Sequence, residues 1–493
     1  MAKIRKAKVY LIGAGPGDPL LISQKALLIL QQADVVLYDS LCNENLLFHC
    51  PPHCKKISVG KKRGSHSTTQ QEIHTFILNH SKKGQTIIRL KGGTPSIFGR
   101  LGEELLFLYE NNIDYEIIPG ISSGTSAAEL FGIPITHRDT AHSVAFLTGS
   151  LKTGQSITTQ QIPKADTLII FMGIQHFKEL IQKIINSNYF SHNTPISVIS
   201  HASTAAQKIH LSTLETILIE QKNLPLDHPS IIIIGKSIHN AKKWINQHSL
   251  PLQGKRIHLL RRYEQSKELY EQLTLAGAEI ILNPSITLQK KLKNLKKITP
   301  TYLNKITLII FTSPNAVRFF FNALQNNGYD ARVLAHIKIV SIGNATTSEL
   351  KKHSISPDAE ASTPTSEGLV TLLKNTIKNE YILLPTAEKT RNILKEKLSN
   401  ICLKFTQISL YKTSEIPINT QKIHSNDWIF FTSSQIVKNT AKRIQKGRQI
   451  NALCLGPITE KTAKQYFKKS VLLQKTSNHE NLVSTIIKTI RSE

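Results

Sequence analysis

The chain has 493 residues, more than a single hydrophobic core usually serves, so two or more domains are expected. Its composition, 40% hydrophobic and 19% charged, is that of an ordinary soluble globular protein, and its apolar runs have strand length, too short for a membrane span or a signal-peptide core. Lysine and arginine outnumber aspartate and glutamate by 62 to 34, a net +28 that attracts polyanions. With no zinc finger, RNA-binding module or basic run interleaved with aromatics, nucleic acid is not the expected partner, and a small substrate rich in carboxylates is served equally well.

Five cysteines, Cys42, Cys50, Cys54, Cys402 and Cys454, are too few and too scattered for a disulfide framework, which fits a reducing, cytoplasmic location. The run His49-Cys50-Pro51-Pro52-His53-Cys54 has the residue types of zinc ligands. No second cysteine or histidine pair stands at finger-like spacing, so it reads as a surface loop and no metal is expected.

In chain order, residues 9–12 form an apolar, β-branched strand that breaks into Gly13-Ala14-Gly15-Pro16-Gly17-Asp18-Pro19, a turn where backbone must come close to something. Ser23 follows as the N-cap of a helix with Ala26, Leu27 and Leu30 behind it. A Rossmann fingerprint needs glycine where Asp18 stands, and the prolines stiffen a loop that would have to wrap a pyrophosphate, so a dinucleotide is not expected. Residues 35–38 give the next strand with Asp39 at its carboxyl end, where the crevice of an open α/β sheet lies; a turn or N-cap aspartate is the equal alternative. Lys61, Lys62 and Arg63 sit between glycines in a loop of anion-binding composition, although an exposed basic loop is the commoner outcome.

A third strand, residues 86–90, runs into Lys91-Gly92-Gly93-Thr94-Pro95 and then a helix opening with Glu103-Glu104, whose charges suit the helix dipole. Another strand ends in Pro119-Gly120 and the small residues of 122–128, which leave room for a flat ligand. His137-Arg138-Asp139 has the residue types of a catalytic triad, but adjacent residues at a strand end point apart, so a structural or substrate-orienting role is expected.

Taken together, GAGPGDP from Gly13, YDSL from Tyr38, VGKKRGSHS from Val59, RLKGGTPSIFGR from Arg89 with its paired glutamates, IPGISSGTSAA from Ile118 and GIPITHRD from Gly132 resemble the tetrapyrrole methylase family, in its uroporphyrinogen-III C-methyltransferase branch, from about Lys8 to Trp244. The resemblance implies two α/β lobes with S-adenosylmethionine folded into the cleft between them. Pro16, Gly92, Gly93, Thr94, Ile97, Thr125, Ser126 and Met172 would lie on the cofactor side, and Asp39, Lys61, Arg100, Glu103 and again Met172 on the tetrapyrrole side. Asp39 is then the candidate to take or relay the proton lost from the methylated carbon, while Arg100 acts by electrostatics, guanidinium being a poor proton acceptor. A homodimer through this half is also implied.

The family pattern LKGGDPFIFGRGGEE has aspartate, phenylalanine and glycine where this chain has Thr94, Ser96 and Leu101, and TGH where it has Thr148-Gly149-Ser150. These departures bear on cofactor affinity more than on fold. They keep open an alternative in which this half is inactive or acts on another precorrin, serving as a binding scaffold for an active second half.

Residues 248–254 read as a short linker. Beyond it residues 257–260 form a strand with Arg261 at its end, and strands and helices alternate to the end, arguing for a parallel doubly wound sheet again. A repeat is visible here: Phe311-Thr312-Ser313-Pro314 recurs as Phe431-Thr432-Ser433-Ser434, and Ile342-Gly343-Asn344-Ala345-Thr346 as Leu455-Gly456-Pro457-Ile458-Thr459. Each unit brings hydroxyls and backbone N–H groups to a helix start, a carboxylate-binding device, with plain N-capping as the competing explanation.

With Leu383-Leu384-Pro385 and Leu410-Tyr411-Lys412-Thr413 added, the chain from about Leu252 onward resembles uroporphyrinogen-III synthase. The resemblance implies two flavodoxin-like lobes joined by a two-stranded connection, with Tyr411 as the functional tyrosine, Thr346 and Thr459 as cleft threonines, and Arg261, Ser313 and Ser433 as substrate-carboxylate contacts. The implied reaction closes linear hydroxymethylbilane with loss of water and inversion of the last ring, Tyr411 hydrogen-bonding the departing hydroxyl.

The expected organisation is α/β throughout. A two-lobed methylase fold takes residues 1–247, with lobes of about 1–117 and 118–247, and a two-lobed synthase, one lobe discontinuous, takes 255–493. The expected enzyme makes uroporphyrinogen III and methylates it twice, at C2 and C7, giving precorrin-2 for sirohaem or cobalamin.

Overall fold

The computed structural model describes residues 7–60, 68–151, 154–220, 227–241, 243, 245, 250–374, 377, 379–390, 393–400, 402–444, 449–473 and 479–492. Its contacts divide the chain into two compact units, residues 1–283 with 419–493, and residues 284–418.

The first unit opens with β1 (Lys8–Gly13), β2 (Val35–Tyr38), β3 (Lys55–Ser58), β4 (Thr86–Lys91) and β5 (Asp114–Ile118), an all-parallel sheet in the order β3-β2-β4-β1-β5. β1 is apolar on both faces because both are covered: Val9 and Leu11 pack with Ile73, Ile77 and Leu108, and Ile12 with Ala26, Leu30 and Ile88. The first helix, Gln24–Leu30, starts where the sequence places it, Ser23 Oγ accepting from the Ala26 N–H at 3.3 Å. A second sheet holds β6 (Val144–Thr148), β7 (Thr167–Phe171), β8 (Pro195–Ser200), β9 (Lys208–Thr213) and β10 (Ser230–Gly235) in the order β6-β7-β10-β8-β9, with β10 antiparallel to both β7 and β8.

β11 (Arg256–Leu259) and β12 (Glu279–Leu282) begin a third sheet before the chain enters the second unit. That unit carries β13 (Ile286–Lys290), β14 (Leu308–Phe311), β15 (Lys338–Ser341), β16 (Ala359–Glu360), β17 (Tyr381–Ala387) and β18 (Lys404–Glu415) in the order β13-β18-β17-β14-β15-β16, parallel except for β13. The chain then returns to the first unit with β19 (Trp428–Phe431), β20 (Asn451–Cys454) and β21 (Lys469–Leu472), completing β12-β11-β19-β20-β21, the 2-1-3-4-5 order of a flavodoxin-like sheet.

One local expectation changes in part. The stretch from His49 to Cys54 is a surface loop only in part: Pro52 and His53 are exposed, but Cys50 and Cys54 are buried with Cys42 and Leu46, because the 3₁₀ turn Glu44–His49 carries apolar Leu46 and Leu47 inward. In the stretch read as a short linker, Leu252 is fully buried and its N–H donates to Ala276 O at 2.8 Å, while Leu250, Pro251, Gln253 and Gly254 are exposed; Trp244 and residues 246–249 lie outside the described residues. Among the described residues no three His, Cys, Asp or Glu side chains are grouped to hold a metal, and no helix is long and apolar enough to cross a membrane.

Candidate active site

The turns after β1, β4 and β5 meet at the carboxyl edge of the first sheet. The Gly15 N–H donates to Gly93 O at 3.1 Å, the Gly93 N–H to Gly15 O at 2.8 Å, and the Ala14 N–H to Lys91 O at 2.7 Å. A Cβ on Gly13 would stand 2.6 Å from Gly120 Cα and from Gly93 O, and one on Gly120 only 2.4 Å from Gly93 O, so the three turns can approach only as glycines. Pro16, Gly92, Thr94, Ile97 and Thr125 line this region half-buried. Ser126 is buried, and its hydroxyl donates to Ser122 O at 2.8 Å, as that of Thr125 does at 3.2 Å, so both are engaged by their own helix, Ser123–Glu129.

The second sheet of this unit closes the region from another side. Ile97 packs with Phe171, the Phe98 ring lies 5.2 Å from that of Phe171, and Met172 follows with 48% of its surface exposed. Phe98, Arg100 and Met172 all hold positive φ, at 50°, 56° and 55°. Left-handed backbone costs a non-glycine residue on the order of 1–3 kcal/mol, and such outliers gather where a ligand is bound. Residues 13–18 and 92–98 contain no basic side chain. Main-chain groups, small residues and a methionine suit a cationic sulfonium with a flat base, so these residues fit S-adenosylmethionine better than a diphosphate.

Beside the glycine turns lies a buried ion network. Arg89 Nη2 donates to Asp39 Oδ1 at 2.6 Å and its Nε to Glu104 Oε1 at 3.0 Å, while Lys91 Nζ reaches Glu104 Oε2 at 2.7 Å. The Arg89, Lys91 and Glu104 side chains are 4%, 4% and 0% exposed, and Asp39 30%. Burial, and then the charge of Arg89, push the Lys91 amine down against the pull of Glu104. Burial also works against the Arg89 charge, but Asp39 and Glu104 hold its guanidinium above the usual value. Asp39 is thus an oriented carboxylate and not a free turn residue.

Sequence reasoning missed Arg89, Lys91 and the burial of Glu104. The signal was present: two cations at i and i+2 share one face of a strand, and all six positions of β4 are buried, so anions had to lie opposite.

Arg100 and Glu103 point outward, 54% and 55% exposed, with Nε 3.9 Å from Oε1, a weak pair that leaves the guanidinium available. Lys61 lies outside the described residues. His137, Arg138 and Asp139 are not at a strand end: they form a turn closed by a bridge from His137 to Ala141, which brings His137 Nδ1 3.9 Å from Asp139 Oδ2 instead of turning them apart. Asp139 is 84% exposed, consistent with a structural turn.

In the second unit Ser313 caps the helix Pro314–Asn326, accepting from the Ala316 N–H at 3.1 Å, and its hydroxyl lies 3.2 Å from Tyr411 Oη. Tyr411 is 5% exposed and stacks on Phe319 at 4.8 Å; burial pushes its phenol up, with Ser313 opposing, so it stays protonated. Thr346 is buried in the first turn of Asn344–Lys351, a helix whose N-cap, Gly343, supplies no side-chain oxygen. The first unit repeats the arrangement. Ser433 caps Ser434–Ala441, Thr459 sits in Pro457–Ala463 behind Gly456, and Arg261 is half-buried after β11. Capping therefore accounts for both serine oxygens, while the two glycine-led helix starts lack a side-chain cap.

Comparison with known proteins finds two families along the chain. The model of the tetrapyrrole (corrin/porphyrin) methylases matches residues 8–218, and that of uroporphyrinogen-III synthase HemD matches residues 267–484. A porphyrin biosynthesis protein HemD of Ruminiclostridium josui is 32% identical over 484 residues, 95% of each chain. A uroporphyrinogen-III C-methyltransferase of Bacillus subtilis is 35% identical over 71% of this chain and 74% of its own. A crystal structure of uroporphyrin-III C-methyl transferase from Thermus thermophilus, complexed with S-adenosylhomocysteine, is 34% identical with a TM-score of 0.42, covering 47% of this chain and 99% of that one. The chain spans about half the length of the siroheme synthases it also matches. A methylase half and a synthase half, both matched along one relative of nearly equal length, lead to one conclusion: the chain belongs to the tetrapyrrole methylase family, fused to a uroporphyrinogen-III synthase, and is an enzyme of tetrapyrrole biosynthesis.

Proposed function

We propose that the second half cyclises hydroxymethylbilane to uroporphyrinogen III and that the first half methylates this product at C2 and C7, giving precorrin-2 for sirohaem or cobalamin. The observation that carries the reading is Asp39, a half-exposed carboxylate held by buried Arg89 beside the glycine cradle. S-adenosylmethionine supplies the methyl group when bound. Pro16, the main chain of Gly92 to Thr94, Ile97, Thr125, Ser126 and Met172 hold and orient it. Asp39 takes or relays the proton lost from the methylated carbon, and Arg100, Glu103 and Lys61 face the tetrapyrrole, the cations pairing with its carboxylates.

In the synthase half the protonated phenol of Tyr411 donates to the departing hydroxyl, while Arg261, Ser313, Thr346, Ser433 and Thr459 hold carboxylates. Both substrates are polycarboxylates, which suits a chain of net charge +28. A homodimer through the methylase half completes the reading.

The test is incubation of the purified chain with hydroxymethylbilane, with and without S-adenosylmethionine, followed by mass analysis. The reading expects uroporphyrinogen III without the donor and a product heavier by two methyl groups with it. Uroporphyrinogen III under both conditions, together with no donor binding by calorimetry, would leave the methylase half as a scaffold.

A further inference from the structure

One short segment touches both the glycine turn of the methylase half and the first sheet of the synthase half. It is Asn43 with the 3₁₀ turn Glu44–His49, and it carries neither a proposed catalytic residue nor a proposed cofactor contact. Asn43 Nδ2 donates to Gly17 O at 2.8 Å, inside the turn that follows β1. Two residues on, Asn45 reaches the opposite way. It is 6% exposed, its Nδ2 donates to Ile280 O at 2.5 Å, and its Oδ1 accepts from the Leu282 N–H at 3.3 Å.

β12 is the edge of its sheet, with β11 on one side only, and Ile280 O with Leu282 N–H are the groups a neighbouring strand would pair. One side-chain amide satisfies both. The contact around it is extensive: His49 packs edge-on against Tyr263 at 4.9 Å, Phe48 joins the core built on Tyr270 and Leu282, Glu44 pairs with Lys422, and the Ala205 N–H donates to Glu279 Oε2 at 3.0 Å. The neighbouring loop is tied in as well, since the Asp18 N–H donates to Ser203 Oγ.

We infer that Asn45 is a positioning residue for methyl-donor binding: by clamping the β12 edge it fixes the turn that holds Gly17, so the synthase lobe sets the order of the donor loop. The chemistry is two amides on one rigid turn, Asn43 facing the loop and Asn45 facing the other half. The inference rests on the reading that residues 13–18 hold the donor, and adds that their order depends on a contact outside that site. Buried amides left without partners are costly, so loss of either end is felt at the other. By linkage the effect is reciprocal, and donor binding must in turn tighten the β12 edge.

Two measurements on the full chain test it. In the unaltered protein, saturating S-adenosylmethionine should slow hydrogen exchange both at residues 13–18 and at the Leu282 amide; protection confined to residues 13–18 overturns the inference without any mutation. In Asn45→Ala, exchange at residues 13–18 should quicken even without ligand, and the donor Kd should rise about fivefold or more. Glu44→Gln, which removes only an exposed ion pair, should change neither. Asn45→Ala that loosens β12 while leaving the loop and the Kd unchanged reduces Asn45 to a local clamp. If the unaltered chain binds no donor, the donor reading fails, and ligand-free exchange in Asn45→Ala still decides whether the two halves are coupled.

Discussion

Replacing Glu104 by glutamine should loosen the first sheet far more than the same change at the preceding residue. Glu104 is the carboxylate between Arg89 at 3.0 Å and Lys91 at 2.7 Å, and none of the three side chains is more than 4% exposed. At an effective dielectric of about 20, each contact at such separations is worth about 6 kcal/mol of Coulomb attraction, most of it offset by desolvation. Glutamine keeps the shape and an acceptor for Arg89, but withdraws the charge, leaving Arg89 with Asp39 alone and buried Lys91 without a counter-charge, and breaking such a buried pair costs about 3–5 kcal/mol. Hydrogen exchange of the amides of β4 and of the helix Leu101–Glu110 should therefore quicken by roughly two to four orders of magnitude. Glu103→Gln is the internal control. Its side chain is 55% exposed and 3.9 Å from Arg100, so exchange should stay within about tenfold. The penalty should also shrink in alkali. The folded Lys91 amine already sits below the ordinary 10.5, so the folded state sheds this proton before the unfolded one, and stability rises with pH up to 10.5. A Glu104→Gln protein that exchanges like the control would show that the network does not hold the strand.

Arg100→Ala should leave folding and S-adenosylmethionine affinity unchanged while lowering methylation at least about a hundredfold, since its side chain is half-exposed and engaged only weakly with Glu103; loss of donor binding by calorimetry would move Arg100 to the cofactor side. Tyr411→Phe removes one hydrogen bond to Ser313 at 3.2 Å, costing roughly 0.5–1.5 kcal/mol in the second unit, and should shift the product of hydroxymethylbilane from type III toward type I; an unchanged ratio removes the tyrosine from the mechanism. Glu116, paired with Lys25 and then Lys8, has its carboxyl held down at about 2 from an ordinary 4.5. Its contribution to stability is therefore present above about pH 4.5 and lost as pH falls toward 2, so Glu116→Gln should be less stable than the unaltered chain near pH 7 and should flatten acid unfolding in that window, the difference vanishing near pH 2.

The glycine turns were legible because glycine is a statement about backbone: Gly13 and Gly120 stand where no Cβ fits, Gly93 holds a φ of +64°, and their spacing after three strands marks the site without any tertiary knowledge. The serine caps were legible for a similar reason, as local bonds two or three residues long. The Arg89, Lys91 and Glu104 network was not, because which of two adjacent glutamates turns inward is decided by packing, and Glu103 and Glu104 are equivalent in sequence. The burial of the cysteines in the stretch from His49 to Cys54, read as a surface loop, was missed for a related reason. Cys50 and Cys54 are buried against Ala26, Leu30, Leu46 and Leu47, and Asn45 beside them against a sheet more than two hundred residues away, contacts no local pattern encodes.

That contact bears on how a fusion of two enzymes stays folded. A parallel sheet of 2-1-3-4-5 order leaves strand 2 as an unpaired edge, here β12, whose Ile280 and Leu282 backbone groups invite another strand. The lobe is also discontinuous, its last three strands arriving only after the second unit has been made, so until β19 joins β11 the pair β11-β12 stands without the rest of its sheet. The methylase half precedes it in the chain and is complete by then. Asn45 and the aromatic contact of His49 with Tyr263 cover that edge with residues already synthesised. The order of the halves runs against the order of the two reactions, since uroporphyrinogen III must be made before it is methylated. It agrees with the order in which the chain can protect its own edge, which is a physical reason for placing the methylase first.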